Sequence, residues 1–156
     1  VQNIYSMMDR GYEKGVIPYC LEHNIGFVPF SPIASGYLSG KVDPNQEFHG
    51  DDVRQWVPQM KKENMLANRP FLEVLSQMAA KKNATNAQIS LAWMLHKYPH
   101  VAPIPGSKNK ERILENLGAW KVKFTDEEFQ ELEEALDRIP IHGQRQDRGA
   151  KTEFFD

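Results

Sequence analysis

The 156-residue sequence predicts an α/β fold in which short parallel strands alternate with helices. Two observations predict it. Apolar runs at residues 1–7, 25–30 and 100–104 are each closed by turn formers, Asp9-Arg10-Gly11, Ser31-Pro32 and Pro105-Gly106. Segments with helical spacing of apolar residues separate these runs and follow the last. Strands that alternate with helices pair in parallel through right-handed crossovers.

The run at 1–7 reads as a strand. Residues 13–24 read as a helix with Val16, Ile17, Cys20 and Leu21 on one apolar stripe; Pro18 fits only in its first turn. Residues 25–30 form a second, buried strand, and 33–50, rich in Gly, Ser and Asp, a loop. Phe71, Val74, Leu75, Met78 and Ala79 set a helix ending near Asn83, with Pro70 in its first turn. Thr85 and Gln88 match a capping box, which opens a helix to about Lys97 bearing Ile89, Ala92 and Trp93. A third strand at 100–104 precedes a short helix at 110–117. Thr125 and Glu128 form a second capping box, starting a helix with Phe129, Leu132, Leu136 and Ile139 on one side. The domain spans 1–142, and 143–156 is a C-terminal tail. Three strands are few for a parallel sheet, which is normally covered on both faces and whose open edges invite pairing. Either the rest of a barrel lies elsewhere or the chain pairs with another copy.

Composition narrows the function classes. Apolar content of 40% and charged content of 26% are those of a globular protein, and a net charge of −2 gives no pull toward nucleic acid or an anionic membrane. No apolar run approaches the roughly 20 residues of a membrane helix, and no secretory leader is visible. Cys20 stands alone, which fits the cytoplasm and a place in the core rather than a nucleophile. The opening Val1, without an initiator Met, points to a fragment. None of the five histidines has a partner at zinc-ligand spacing, and no nucleophile elbow, Walker loop or Rossmann glycine fingerprint occurs.

Two constellations follow strands. Phe30-Ser31-Pro32-Ile33-Ala34-Ser35-Gly36-Tyr37-Leu38-Ser39-Gly40-Lys41 offers hydroxyls, backbone amides and one cation that could cradle an anion. From composition alone a plain surface loop is the favoured reading. Pro105-Gly106-Ser107-Lys108-Asn109-Lys110-Glu111-Arg112, then Glu115-Asn116, places three cations at the start of a short helix. Helix starts offer unpaired amides and a positive dipole end that suit phosphate. A solvated basic turn capped by Ser107 explains the same residues, and the two readings stand level.

Taken in order, these segments resemble the aldo-keto reductase family, in its longer-chain bacterial and plant-like branch. The carrying residues are Val1-Gln2-Asn3-Ile4-Tyr5-Ser6, Gly26-Phe27-Val28-Pro29-Phe30-Ser31-Pro32, Gly36-Tyr37-Leu38-Ser39-Gly40-Lys41 and Asp51-Asp52-Val53-Arg54. Ala87-Gln88-Ile89-Ser90-Leu91-Ala92-Trp93, Ile104-Pro105-Gly106-Ser107 and Glu115-Asn116-Leu117-Gly118-Ala119 complete the series. The resemblance implies the C-terminal part of an eight-stranded (β/α) TIM barrel, strands six to eight with their helices, and NADP(H) as cofactor. It implies that Gln2 holds the nicotinamide carboxamide and Phe30 packs on the nicotinamide ring. Ser31, Pro32, Ile33, Ser35, Gly36 and Lys41 would surround the pyrophosphate. Gly106, Ser107, Lys108 and Arg112 would grip the adenosine 2′-phosphate, with Arg54 adding to the clamp, and Glu115 and Asn116 would meet adenine. Arg112 can offer a fork of donors to a phosphate that Lys cannot.

The family's catalytic Tyr, Lys, Asp and His match no stretch of this sequence, and Tyr5 belongs to the strand motif rather than to catalysis. The resemblance therefore implies an oxidoreductase that reduces aldehydes or ketones with NADPH as part of a full barrel, the isolated chain being inactive. The alternative is a non-catalytic fragment that binds nucleotide or self-associates; a truncated reading frame without selected function is a third reading. The expected partners are a small carbonyl substrate, and an N-terminal half or a second copy met through exposed strand edges, with no nucleic acid and no membrane.

Overall fold

A computed structural model describes residues 1–144. From residue 145 on, the tail expected at 143–156 lies outside the described residues. Strand β1 (Gln2–Ile4) pairs in parallel with β2 (Val28–Phe30), Gln2 opposite Val28 and Ile4 opposite Phe30. The crossover is α1 (Val16–Glu22), entered through a 3-10 turn at Gly11–Lys14. Pro18 stands in the first turn of α1, where a missing N–H costs no intrahelical bond. Ile17 and Cys20 are buried, but Leu21 is exposed, because a helix of seven residues turns only a narrow face to the sheet.

The third expected strand is only partly formed. Residues 101–104 lie parallel to β2 with a bridge between Phe27 and Val101. Phe27 N–H donates to His100 C=O, Ala102 N–H to Phe27 C=O, and Ile104 N–H to Pro29 C=O. The rung from residue 29 to the Ala102 carbonyl is missing because Pro29 has no N–H. The spatial order is β1, β2, then residues 101–104.

Between the expected loop and the next helix the chain is more ordered than its lack of periodicity suggests. It makes 3-10 turns at Val53–Trp56 and Pro58–Met60, then α2 (Lys62–Ala67) and α3 (Arg69–Lys81), with Pro70 in the first turn of α3. Helix α4 (Asn86–Lys97) opens on the reciprocal Thr85–Gln88 capping box. Helix α5 (Lys110–Leu117) runs into a 3-10 turn at Gly118–Lys121, and α6 (Asp126–Asp137) opens on the Thr125–Glu128 box. Asp126, Glu127 and Glu128 sit at the positive end of its dipole.

The helices pack on one face of the sheet. Tyr5, Phe27 and Val101 are buried on that side, with the Tyr5 ring stacked on Trp93 at 5.5 Å and edge-on to Phe27 at 6.2 Å. Alternation and register put Gln2, Ile4, Val28, Phe30, Ala102 and Ile104 on the other face, where Phe30 is 36% and Ile104 49% exposed. Charged groups close the helix side. Glu133 accepts from Trp93 Nε1 (2.6 Å), Lys97 Nζ (2.6 Å) and Arg10 Nη2 (2.9 Å). Glu13 accepts from the Tyr5 hydroxyl (2.5 Å) and pairs with Arg10 (3.0 Å) and Lys97 (3.1 Å). The exit of β1, α4 and α6 are thereby tied together. Burial works against the Glu133 charge, but hydrogen bonds from Lys97 and Trp93 and the Lys97 and Arg10 charges outweigh it and hold the carboxyl below its usual range. Burial, then the neighbouring Glu13, pushes the Tyr5 hydroxyl far up.

Candidate functional site

The chain leaving β2 turns sharply. Ser31, Ala34 and Ser35 have φ of 51°, 46° and 57°, and Gly36 and Gly40 follow at 95° and 71°. Left-handed backbone costs a non-glycine residue about 1–2 kcal/mol, and strain of this kind gathers at functional sites. The expected loop is a pair of 3-10 turns merged across that kink, Ala34–Ser39. Its amides are not all available to a ligand. Ala34 N–H donates to Ser31 C=O, Gly36 and Leu38 N–H to Ile33 C=O, and Gly40 N–H to Tyr37 C=O. A cradle built from these four amides is thus excluded in this conformation, and the turn presents side chains instead. Pro32 is buried and its carbonyl takes the Ser90 hydroxyl (3.2 Å), while Ile33 packs against the core. These two residues anchor the turn, and Lys41 at its end is exposed.

Gln2 and Phe30 lie together on the uncovered sheet face, both exposed. Arg54 lies apart from the turns. Its guanidinium grips Asp52 at 2.5–3.0 Å and sits 4.3 Å over the Phe48 ring, and it makes no hydrogen bond or ion pair to either turn among the described residues. Its side-chain hydrogen bonds, then one from its backbone, hold Asp52 down to about 2.

Gly106, Lys108 and Arg112 are exposed, and neither cation's side chain makes a hydrogen bond or ion pair among the described residues. The cap of α5 is Asn109, not Ser107. Its Oδ1 accepts Arg112 N–H at 2.9 Å, so that amide is already occupied. Ser107 shapes the preceding turn by accepting Asn109 N–H at 3.1 Å. Glu115 is the meeting point of the two turns: Lys41 Nζ donates to its carboxylate oxygens at 3.1 and 3.2 Å across 74 residues of chain. Burial opposes its charge, but hydrogen bonds from Thr85 and Lys41, with the Lys41 and Arg112 charges, win and hold the carboxyl below its usual range. Gln88 Nε2 also donates to the Glu115 carbonyl at 2.8 Å. Asn116 follows, partly buried.

The structure therefore joins Lys41 to Glu115, sets Lys108 and Arg112 nearby in sequence, the Arg112 charge acting on Glu115 without a direct ion pair, and leaves Arg54 on its own partner. Thr85 and Gln88 were legible only as a cap; their hold on Glu115 has no signal in the sequence, because it depends on a contact between α4 and α5. An open groove of about 680 Å³ flanks the Lys41 turn, lined also by Arg69 and Glu73 of α3 and by Thr85 and Asn86. Of the candidate residues only Lys41 lines it, so it borders the site rather than forming it. Tyr5 lies on the helix side with its hydroxyl on Glu13 and takes no part.

Residues 1–137 match the model of the aldo/keto reductase family. The chain is 36% identical over 143 residues to an aldo-keto reductase of Schizosaccharomyces pombe whose name carries NADP(+); the match covers 92% of this chain and 42% of that protein. A glycerol dehydrogenase of Gluconobacter oxydans superposes with a TM-score of 0.78 at 24% identity, over 90% of this chain and 43% of that one. An aldo-keto reductase of Klebsiella pneumoniae in complex with NADPH gives 0.58 at 22%, over 85% and 37%. These two likenesses speak to the fold alone. The chain spans less than half the length of each of these relatives. With the family model matched along nearly all its described length, the chain belongs to the aldo/keto reductase family.

Proposed function

We propose that residues 1–142 are the C-terminal part of a (β/α)8 barrel, strands six to eight with their helices, and supply much of the NADP(H) site of an enzyme that reduces aldehydes or ketones to alcohols. The observation that carries this reading is the Lys41–Glu115 ion pair, which joins the turn after the second extended segment to α5, the helix that follows the third, in one polar seam. The name of the Schizosaccharomyces pombe relative, which carries NADP(+), supports it.

The residues present fit such a cofactor. Arg112 and Lys108, exposed and unpaired at the start of α5, suit the 2′-phosphate, with Gly106 and Ser107 shaping the approach. Lys41 meets the pyrophosphate by exchanging the Glu115 carboxylate for phosphate oxygens, beside Ser31 and Ser35, with Pro32 and Ile33 as supports; Gly36 gives the bend only, its N–H being held by the Ile33 carbonyl. Glu115 and Asn116 then face adenine. The exposed Phe30 ring offers a stacking surface for the nicotinamide, with Gln2 on the same sheet face for its carboxamide. Arg54 joins the clamp only if it leaves Asp52. When bound, the reduced nicotinamide supplies the hydride. Tyr5 is buried with its hydroxyl on Glu13, so this reading places the proton donor in the other part of the barrel.

The uncovered sheet face favours a second reading, a non-catalytic module that binds nucleotide or associates with itself. Among the described residues no helix is long and apolar enough to cross a membrane; a cytoplasmic home belongs to the proposal. The test has two arms. The chain alone should not oxidise NADPH with a generic aldehyde, and turnover by it would overturn the placing of the proton donor elsewhere. NADPH should change its tryptophan fluorescence, and Arg112→Ala should weaken binding roughly 10- to 150-fold, the loss of one charge-assisted contact. Equal affinity in the variant removes the phosphate clamp.

A further inference from the structure

The box that opens α4 does more than cap a helix. Thr85 Oγ1 accepts Gln88 N–H at 3.2 Å, and Gln88 Oε1 accepts Thr85 N–H at 3.0 Å. These bonds use only one end of each side chain. The other ends reach across to α5. The Thr85 hydroxyl donates to the Glu115 carboxylate, and Gln88 Nε2 donates to the Glu115 carbonyl at 2.8 Å. A hydroxyl carries one proton and two lone pairs, and a carboxamide has a donor end and an acceptor end. Each side chain therefore caps α4 and holds Glu115 at the same time.

The box that opens α6 shows what capping alone requires. Thr125 and Glu128 make the same two bonds, at 3.1 and 2.9 Å. Glu128 has no proton to give and pairs instead with Lys81 and Lys82. Glu and Gln serve a capping box equally, but only Gln can also donate to a carbonyl. Gly118 makes room for that donation. Its φ of −62° is open to any residue, yet a Cβ there would lie 2.6 Å from Gln88 Nε2. A side chain at 118 would push the amide off the Glu115 carbonyl.

Glu115 is thus held from two sides of unequal firmness. The Lys41 side chain is 54% exposed and leaves its partner readily, whereas Glu115 is 19% exposed. Once Lys41 turns to a phosphate, the bonds from α4 are what remain. We propose that Thr85, Gln88 and Gly118 are positioning residues for base recognition. They keep the Glu115 carboxylate in place as an acceptor for the exocyclic amino group of adenine after Lys41 has left it. A side chain already held loses little freedom on binding, and a carboxylate can only accept, so a purine with an oxo group at that position is refused. This inference rests on the reading that Glu115 meets adenine, and adds what holds it and which base it admits.

The test titrates the 156-residue chain with NADPH and with its hypoxanthine analogue, which has an oxo group in place of the amino group, followed by tryptophan fluorescence. The unaltered chain should prefer NADPH by about tenfold or more, the worth of a hydrogen bond to a charged group. Thr85→Ala and Gln88→Glu should reduce that preference to less than about threefold. Thr85→Ser should keep it. Thr125→Ala, which removes the equivalent cap from α6 and does not touch Glu115, should keep it too. In the chain without cofactor, NMR should show the Glu115 pKa raised by Thr85→Ala and unmoved by Thr125→Ala. Gln88→Glu retains both capping bonds, so it decides the point where Thr85→Ala unfolds. No preference in the unaltered chain, a preference that survives Thr85→Ala and Gln88→Glu, an equal loss in Thr125→Ala, or a Glu115 pKa indifferent to Thr85→Ala would each overturn the inference while NADPH binding stands. A chain that binds neither nucleotide overturns the cofactor reading, and this inference with it.

Discussion

Replacing Glu133 with Ala should be among the most damaging single changes in this chain. Its carboxylate, 18% exposed, takes three donors: the indole of the fully buried Trp93, Lys97 and Arg10. Removing one member of a buried ion pair costs about 3–5 kcal/mol when the partner is left without compensation. Here Glu13 still bridges Arg10 and Lys97, which lowers that figure. The Trp93 N–H is left without an acceptor, at about 1–3 kcal/mol. A loss of about 3 kcal/mol follows, against a total of about 5–15 kcal/mol for a typical domain. With a urea slope of about 1.5 kcal/mol per molar, the midpoint should fall by about 2 M. Glu133→Gln keeps an acceptor for Trp93 and should lose about half as much. The effect has a pH signature. The folded carboxyl titrates below its unfolded value, so its contribution is complete above the unfolded pKa of about 4.3 and disappears as pH falls through the folded value. Urea melts followed by tryptophan fluorescence at pH 7 and at acid pH measure both. A loss under about 1 kcal/mol at pH 7, or a difference that persists unchanged in acid, would refute the idea that this carboxylate holds β1's exit, α4 and α6 together.

Two further changes test the local geometry. Thr85→Ala removes the α4 cap, worth about 0.5–2 kcal/mol, and a hydrogen bond that lowers the Glu115 pKa. Thermal melting should show the first and NMR titration of Glu115 an upward shift, both rescued by Thr85→Ser. Gly143→Ala forces a φ of 70° on a side chain whose Cβ would lie 2.8 Å from the Pro58 carbonyl oxygen, so it should cost at least about 1–2 kcal/mol in a denaturant melt.

What was legible in the sequence was local. Both capping boxes join residues three apart, and the helices they open are where the spacing puts them. Trp93 and Met78 are core, as their stripes imply. The third strand is shorter than its apolar run predicts because the residue that breaks its ladder, Pro29, sits on the neighbouring strand. Helix α2 and the turns before it have no apolar period to see; they are short and rest on a few buried residues, Val57, Gln59, Met60 and Met65. Each of Lys41 and Glu115 stood out as a candidate, but their pairing spans 74 residues and belongs to the fold. The glycines and serines after β2 leave an anion cradle open but favour a plain loop, and the same residues let the turn fold tightly enough to bond its own carbonyls.

Amide exchange of the chain with and without NADPH, resolved over residues 31–41 and 106–116, tests most directly whether these turns are two sides of one cofactor seam. Both stretches should slow together with NADPH, while NADH, which lacks the 2′-phosphate, should leave 106–112 as it was. Slowing confined to one turn, or the same response to both nucleotides, would contradict the assignment.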